Sequence, residues 1–362
     1  GTSESNLLEQ YSLVYKSGTT EVTDRQGRTA VYQYNRYGQT TGVVSGTAAA
    51  GSFYDFTPSG GGFNANKLLS ASKTQKSVTN LLKNHRLDTD LRGFFAVIAE
   101  GQTTDYSHDD TKGNIGKGSM KVTRTAVSDF TNPYSLICQD YPVTREGYYT
   151  MSAYINTGGV RLNGNGAVLR LERRDSNMVN MAGIQEGVHQ TGADEWKRVF
   201  ATMYYYVGDT IRCTVGTNGA DCLGTMWFDD FQLEYGETAN AYNLMENTDF
   251  KDGMTAWATI GESHRNTNIG ANAPQGSTHG VSLPGKPSRN TVAHPIPMSG
   301  KKGDVLTYGS WGKASSLLAD ETDGAARYTL RLEFYKDGQW KGENLARANS
   351  LCRDWQLITG EA

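Results

Sequence analysis

The chain has 362 residues, room for two or three domains, and its 42 Gly and 20 Tyr suit many short strands joined by tight turns. A net charge of −3 without a basic run argues against nucleic acid as a main partner, since phosphate binding needs a concentrated basic surface. No apolar run approaches the roughly 20 residues that span a bilayer, which argues against membrane insertion, and the four cysteines form neither a CxxC pair nor a Cys/His cluster that would hold zinc.

The first recognisable stretch is 18–45. Thr19 to Thr23 reads as a strand, Asp24-Arg25-Gln26-Gly27 as a turn, and Thr29 to Tyr34 as the next strand. Asn35-Arg36-Tyr37-Gly38 turns again before a third strand from Gln39 to Val44. Asn or Asp opening a turn that Gly closes combines side-chain capping with freedom for positive φ. The pattern Gly-Arg, Tyr-x-Tyr-Asn, Gly-Gln-Thr resembles the YD repeats of Rhs-type and wall-associated bacterial surface proteins. That resemblance implies β-hairpins in an extracellular scaffold belonging to a larger parent protein with other domains. Residues 57–66 read as a Gly-rich linker, and Lys67 to Val78 as an extended connector or one more strand.

From 79 to 240, strands are expected at Gly118–Thr123, Tyr134–Tyr141, Tyr148–Thr157, Gly166–Arg173, Trp196–Tyr206, Thr210–Val215 and Met226–Tyr235. Gly, Asn and Asp clusters separate them and no helical period appears, which predicts an all-β sandwich of jelly-roll form. The segment resembles the carbohydrate-binding, galactose-binding-like jelly rolls of bacterial secreted enzymes and surface proteins. The likeness rests on Asn80-Leu81-Leu82-x-Asn84 as the opening strand, Gly118-Ser119-Met120-Lys121-Val122, Tyr149 to Tyr154, Trp196, and Trp227 to Glu234 at the close.

The same features recur further on. Asn80-Leu81-Leu82-Lys83-Asn84 returns as Asn243-Leu244-Met245-Glu246-Asn247, with 80 and 243 offset by 163. Leu169-Arg170-Leu171-Glu172 returns as Leu330-Arg331-Leu332-Glu333, with 169 and 330 offset by 161. Tyr149 to Tyr154 has an echo in Leu306 to Trp311, and Trp196 in Trp355. Such a period means duplicated domains. The expected organisation is a YD-repeat β-hairpin segment with its linker over 1–76, a jelly roll over 77–240 and a second jelly roll over 241–362. No second copy of the Phe-Asp-Asp element follows Trp355, so the second jelly roll is expected to be truncated and the chain to be a fragment.

Two kinds of site are expected. Leu169 and Leu171 take one face of their strand, leaving Arg170 and Glu172 on the other. Tyr154 falls on the polar face of its strand, and Tyr204-Tyr205-Tyr206 must show a ring outward. In the second copy Arg331, Glu333 and Tyr335 share a face, with Trp340 near in sequence. Aromatic rings and bidentate polar groups suit sugars, so these residues are candidates for a polysaccharide or cell-wall glycan. A cross-strand ion pair on a solvated sheet is the plainer reading. The jelly-roll resemblance also implies a structural Ca2+, with Asp88 and Asp229 or Asp230 as oxygen donors; aspartates capping turns are the alternative.

Trp196 and Trp227 are expected in the core. Cys213 and Cys222 either face each other across a hairpin around Asn218-Gly219 or sit unpaired in the core. Asp105 to Asp110 reads as a polar surface loop. No nucleophile, phosphate-loop or zinc-protease motif is present. The expected function is therefore non-catalytic carbohydrate binding by a secreted or wall-attached protein, with a ligand-free structural spacer as the alternative.

Overall fold

A computed structural model describes residues 12–16, 19–23, 29–34, 40–45, 50–56, 68–74, 78–127, 134–161, 167–175, 177, 180–189, 194–218, 222–260, 265–268, 278–283, 290–300, 303–313, 329–347 and 356–362. Every regular element among them is a strand. The chain divides into two compact units: Gly1–Glu246 with Pro297–Gly300, and Asn247–Ile296 with Lys301–Ala362.

The first unit begins with a six-stranded antiparallel meander of β1 (Ser12–Lys16), β2 (Thr19–Thr23), β3 (Thr29–Tyr34), β4 (Thr40–Ser45), β5 (Ala50–Phe56) and β6 (Leu68–Thr74), in sequential order. β2 to β4 are the three strands expected from the alternating Thr, Val and Tyr residues, and β6 lies in the stretch left open between connector and strand. The two Gly-ended turns and the 57–66 linker lie outside the described residues.

Next comes a β-sandwich. Its strands are β7 (Phe95–Ile98), β8 (Gln102–Asp109), β9 (Ser119–Val127), β10 (Tyr134–Pro142), β11 (Gly147–Arg161), β12 (Ala167–Arg174), β13 (Asn180–His189), β14 (Lys197–Tyr205), β15 (Thr210–Asn218) and β16 (Leu223–Tyr235). One five-stranded sheet runs β13-β12-β15-β10-β7, the other β14-β11-β16-β9-β8. The chain repeatedly crosses between the layers, as in a jelly roll. Period-2 alternation sends Ile137, Leu169, Leu171, Ile211 and Val215 from the first sheet to meet Met120, Met151, Ile155, Phe228 and Leu233 from the second. Each such side chain contributes about 1.5–3 kcal/mol on full burial.

Three expectations change and one open alternative is settled. The Asn80–Asn84 stretch is not a strand: its side chains pin an irregular loop along the end of β16. Asn80 Nδ2 donates to the Phe231 carbonyl at 2.6 Å, and its Oδ1 accepts from the amide of Leu233 at 3.1 Å. Asp105 to Asp109 belongs to strand β8 rather than a loop. Cys213 and Cys222 are free and buried, because β15 and β16 belong to different sheets and make no hairpin. Trp227 lies between two core residues, Met226 and Phe228, and so faces away from the core. Its indole donates to Asp109 at 2.9 Å, and the Lys112 ammonium sits 3.8 Å above its ring. Trp196 is half-buried just ahead of β14.

The second unit contains β17 (Ala258–Ile260), β18 (Arg265–Asn268), β19 (His279–Ser282), β20 (Thr291–Ala293), β21 (Thr307–Gly312), β22 (Thr329–Lys336), β23 (Gln339–Arg347) and β24 (Gln356–Glu361). Its opening loop repeats the backbone turns and asparagine bonds of the sandwich's. Positive φ occurs at Asn84 (49°), Leu87 (51°) and Gly93 (92°), then at Asn247 (51°), Phe250 (54°) and Ala256 (69°), each pair offset by 163. Asn84 Nδ2 donates to the carbonyls of Asp90 and Arg92, and Asn247 Nδ2 to those of Gly253 and Thr255, at the same offset. The pairings β11–β14 and β12–β13 recur as β21–β24 and β22–β23. Tyr154 opposes Arg198 as Trp311 opposes Leu357, which is the register the sequence repeat requires.

Candidate functional site

In the sandwich, Leu169 and Leu171 point into the core, so Arg170 and Glu172 lie on the outer face of the first sheet. Both are nonetheless buried, with 9% and 4% of their surface exposed. Glu172 accepts from Arg174 at 2.5 Å and lies 3.6 Å from Arg170. Across the strands it neighbours Arg212, which grips Asp140 through two bonds of 2.9 Å. Those bonds hold the Arg212 guanidinium above its ordinary pKa against the opposing effect of burial. Phe95 is exposed at the edge, 5.1 Å from the Arg212 guanidinium. The face is thus a ladder of charges that largely satisfy one another.

Tyr154 and Tyr204 are not part of it. Met151, Ala153 and Ile155 fill the core from β11, which puts Tyr154 on the outer face of the second sheet, opposite Arg198 and Asp229. Tyr204 sits on that same outer side, edge-on to Tyr148 at 4.9 Å and Tyr206 at 5.2 Å. Its hydroxyl donates to Glu146 at 2.6 Å, and that bond pushes its pKa up to about 12. Two packed sheets stand about 10 Å apart, so these tyrosines and the Arg170–Glu172 pair cannot grip one sugar together.

The second unit does bring its candidates together. β22 and β23 form a hairpin in which Arg331, Glu333 and Tyr335 oppose Leu345, Glu343 and Trp340. Asp337 and Gly338 both take positive φ, 51° and 73°, as a tight two-residue turn between twisted strands requires. Arg331 bridges Glu333 at 3.0 Å and Glu343 at 3.2 Å, and the Tyr335 hydroxyl donates to Glu333 at 3.0 Å. Tyr335 and Trp340 remain 60% and 57% exposed. Two aromatic surfaces therefore stand beside one guanidinium and two carboxylates on an open face. Glu343 and the Tyr335–Trp340 pairing were not identified from sequence; the Asp-Gly turn at 337–338 is the signal that brings Trp340 opposite Tyr335.

Asp88, Asp229 and Asp230 meet where the opening loop, β16 and the 110–118 loop converge. Asp229 accepts from the Asn114 amide at 2.8 Å and Asp230 from the Asn114 side chain at 2.8 Å. Burial, together with their mutual repulsion, pushes the Asp229–Asp230 pair upward. Asp230 has φ of 49°, and this bulge breaks the alternation of β16. Asp88 Oδ1 and Asp230 Oδ1 are buried without a hydrogen-bond partner. The cation beside them is Arg86, whose Nε donates to Asp88 Oδ2 at 2.8 Å. A Cβ on Gly116 would fall 2.0 Å from Asp88 Oδ1, so the loop backbone packs directly on that oxygen. Among the described residues, no three His, Cys, Asp or Glu side chains converge to hold a metal. The arrangement is an arginine-filled junction rather than an open oxygen cage, and it does not fit a calcium ion.

No family model matches the chain. It is similar to the tRNA(Glu)-specific nuclease WapA of Bacillus subtilis subsp. natto (strain BEST195), 25% identical over 301 residues, and to the tRNA nuclease WapA of Bacillus subtilis (strain 168) at the same identity. Those matches cover 79% of this chain, which spans 12% of the length of these relatives. Among solved structures, it is similar to the CBM22-1 xylan-binding domain of Paenibacillus barcinonensis Xyn10C at 17% identity and a TM-score of 0.35, covering 45% of this chain and 99% of that one. The CBM22-1–CBM22-2 tandem of the same protein aligns at 16% identity and a TM-score of 0.33, covering 80% of this chain and 86% of that one.

Proposed function

We propose that this chain binds carbohydrate without chemically altering it, as tandem modules over 77–240 and 241–362 of a secreted or wall-attached protein. The observation that carries the reading is the open hairpin face of Arg331, Glu333, Glu343, Tyr335 and Trp340. A sugar ring offers C–H faces that pack on aromatic surfaces, and hydroxyls that carboxylate and guanidinium groups bind in pairs. Arg331 and its two carboxylates already hold one another in place, which lowers the ordering cost of binding. In the first module the exposed Phe95 beside Arg212 and Asp140 offers a smaller contact, and two weak contacts on one chain would add avidity.

A second reading is favoured by the self-paired Arg170–Glu172–Arg174 ladder: the first module is a structural spacer whose charges serve only itself. The activity in the names of the WapA relatives belongs to much longer proteins, and no step of it is assigned to the residues described above. The test is a glycan array probed with the full chain, covering plant, bacterial-wall and capsular polysaccharides. Binding to a defined glycan supports the reading. A folded chain that binds none returns both modules to the spacer role.

A further inference from the structure

The junction of the opening loop with β16 gathers negative charge from Asp88, Asp229 and Asp230, and a fold of this kind implies calcium there. Arg86 already occupies that role geometrically. It is buried, 4% exposed. Its Nε donates to Asp88 Oδ2 at 2.8 Å, Nη1 to the Leu244 carbonyl at 3.2 Å, and Nη2 to the Pro297 carbonyl. Asp230 lies within its electrostatic reach. One carboxylate and two backbone carbonyls are the kind of oxygen set that calcium collects. A guanidinium is permanently charged and carries five donors in a planar fork, so Arg86 meets these three oxygens without a metal, while Asp88 Oδ1 and Asp230 Oδ1 feel its charge without a hydrogen bond. The Gly116 backbone closes over the pair, since a Cβ there would fall 2.0 Å from Asp88 Oδ1.

The second opening loop supplies an independent observation. Asp249 and Lys251 stand 163 residues beyond Arg86 and Asp88, again flanking the residue of positive φ, and they pair at 2.9 Å. The charges have exchanged positions while the internal ion pair is retained. Both loops thus carry their own cation.

We propose that Arg86 is the resident cation of the first junction, replacing a metal ion, so that the sandwich folds and holds its faces without calcium. This holds whether or not the hairpin of the second unit binds a glycan. The experiment uses the full chain, with thermal unfolding and calorimetric titration in 1 mM-scale calcium and in excess chelator. The wild-type chain is expected to show one unfolding profile in both solutions and no calcium heat assignable to this junction. Arg86→Met leaves the carboxylates without their partner, so its sandwich transition in chelator should fall by roughly 5–10 °C, and added calcium should restore part of that loss. Two results overturn the proposal. One is a calcium-dependent rise in the wild-type midpoint that Asp230→Asn abolishes. The other is an Arg86→Met chain as stable in chelator as wild type. Because the first result is read on the wild-type chain, the proposal stays testable even if Arg86→Met fails to fold.

Discussion

The hairpins β12–β13 and β22–β23 carry the same Leu-Arg-Leu-Glu segment at an offset of 161 and place the same Arg–Glu pair on one face. Their surroundings differ. Glu172 belongs to a strand held between β13 and β15 and is buried with Arg170 beneath a half-buried charge ladder. Glu333 belongs to a strand whose only partner among the described residues is β23, and the Arg331 and Glu333 side chains stay 36% and 27% exposed. Identical local chemistry is structural where neighbours enclose it and available to a ligand where they do not.

The sharpest way to break this comparison is to remove the glutamate from each pair. Glu172→Ala removes the buried carboxylate that Arg170 and Arg174 flank and should cost about 3 kcal/mol of stability. Glu333→Ala, at a screened site, should cost less than about 1 kcal/mol. Denaturant unfolding of the full chain checks both, and equal costs would mean the two faces do not differ as described. Next in size are the opening loops. Asn84→Ala and Asn247→Ala each lose a side chain that tolerates positive φ and caps two carbonyls, and each should cost roughly 2 kcal/mol. Similar losses in the two transitions would show that the repeat extends to energetics; a loss in one alone would confine it to geometry.

A smaller effect sharpens the picture of the second sheet's outer face. Glu234 is buried, and burial pushes its carboxyl above the ordinary value against hydrogen bonds from Asn240 and Gln232. A raised carboxyl favours the folded state while protonated. Stability should therefore decline as pH rises from about 4.3 through the higher folded value. Glu234→Gln should flatten that part of a stability–pH curve, and an unchanged slope would place its origin elsewhere.

Strand positions were legible where alternation was clean, as in β3 and β12, because a core-facing side imposes period 2. β7, β8 and β13 were missed: Phe95–Ile98 is too short to show a period, and Asp105 to Asp109 looks like a loop because its strand is mostly solvent-facing. The bulge at Asp230 hid the true orientation of Trp227, since one extra residue reverses every face assignment beyond it. At the sites, Arg170–Glu172 and Arg331–Glu333–Tyr335 were readable as shared faces of single strands. Asp140–Arg212 was not, because cross-strand register between residues so far apart follows from topology. The separation of Tyr154 and Tyr204 from Arg170 was equally hidden, since alternation tells inside from outside but not one outer face from the other.

The most direct measurement is affinity electrophoresis of the full chain, in gels containing the polysaccharide selected on the array, comparing wild type with Tyr335→Ala/Trp340→Ala. The account predicts that wild type is retarded and that the double variant migrates freely while keeping its unfolding profile, a loss of at least tenfold in affinity, or about 1.4 kcal/mol. Equal retardation of the two proteins would contradict the assignment of the hairpin face.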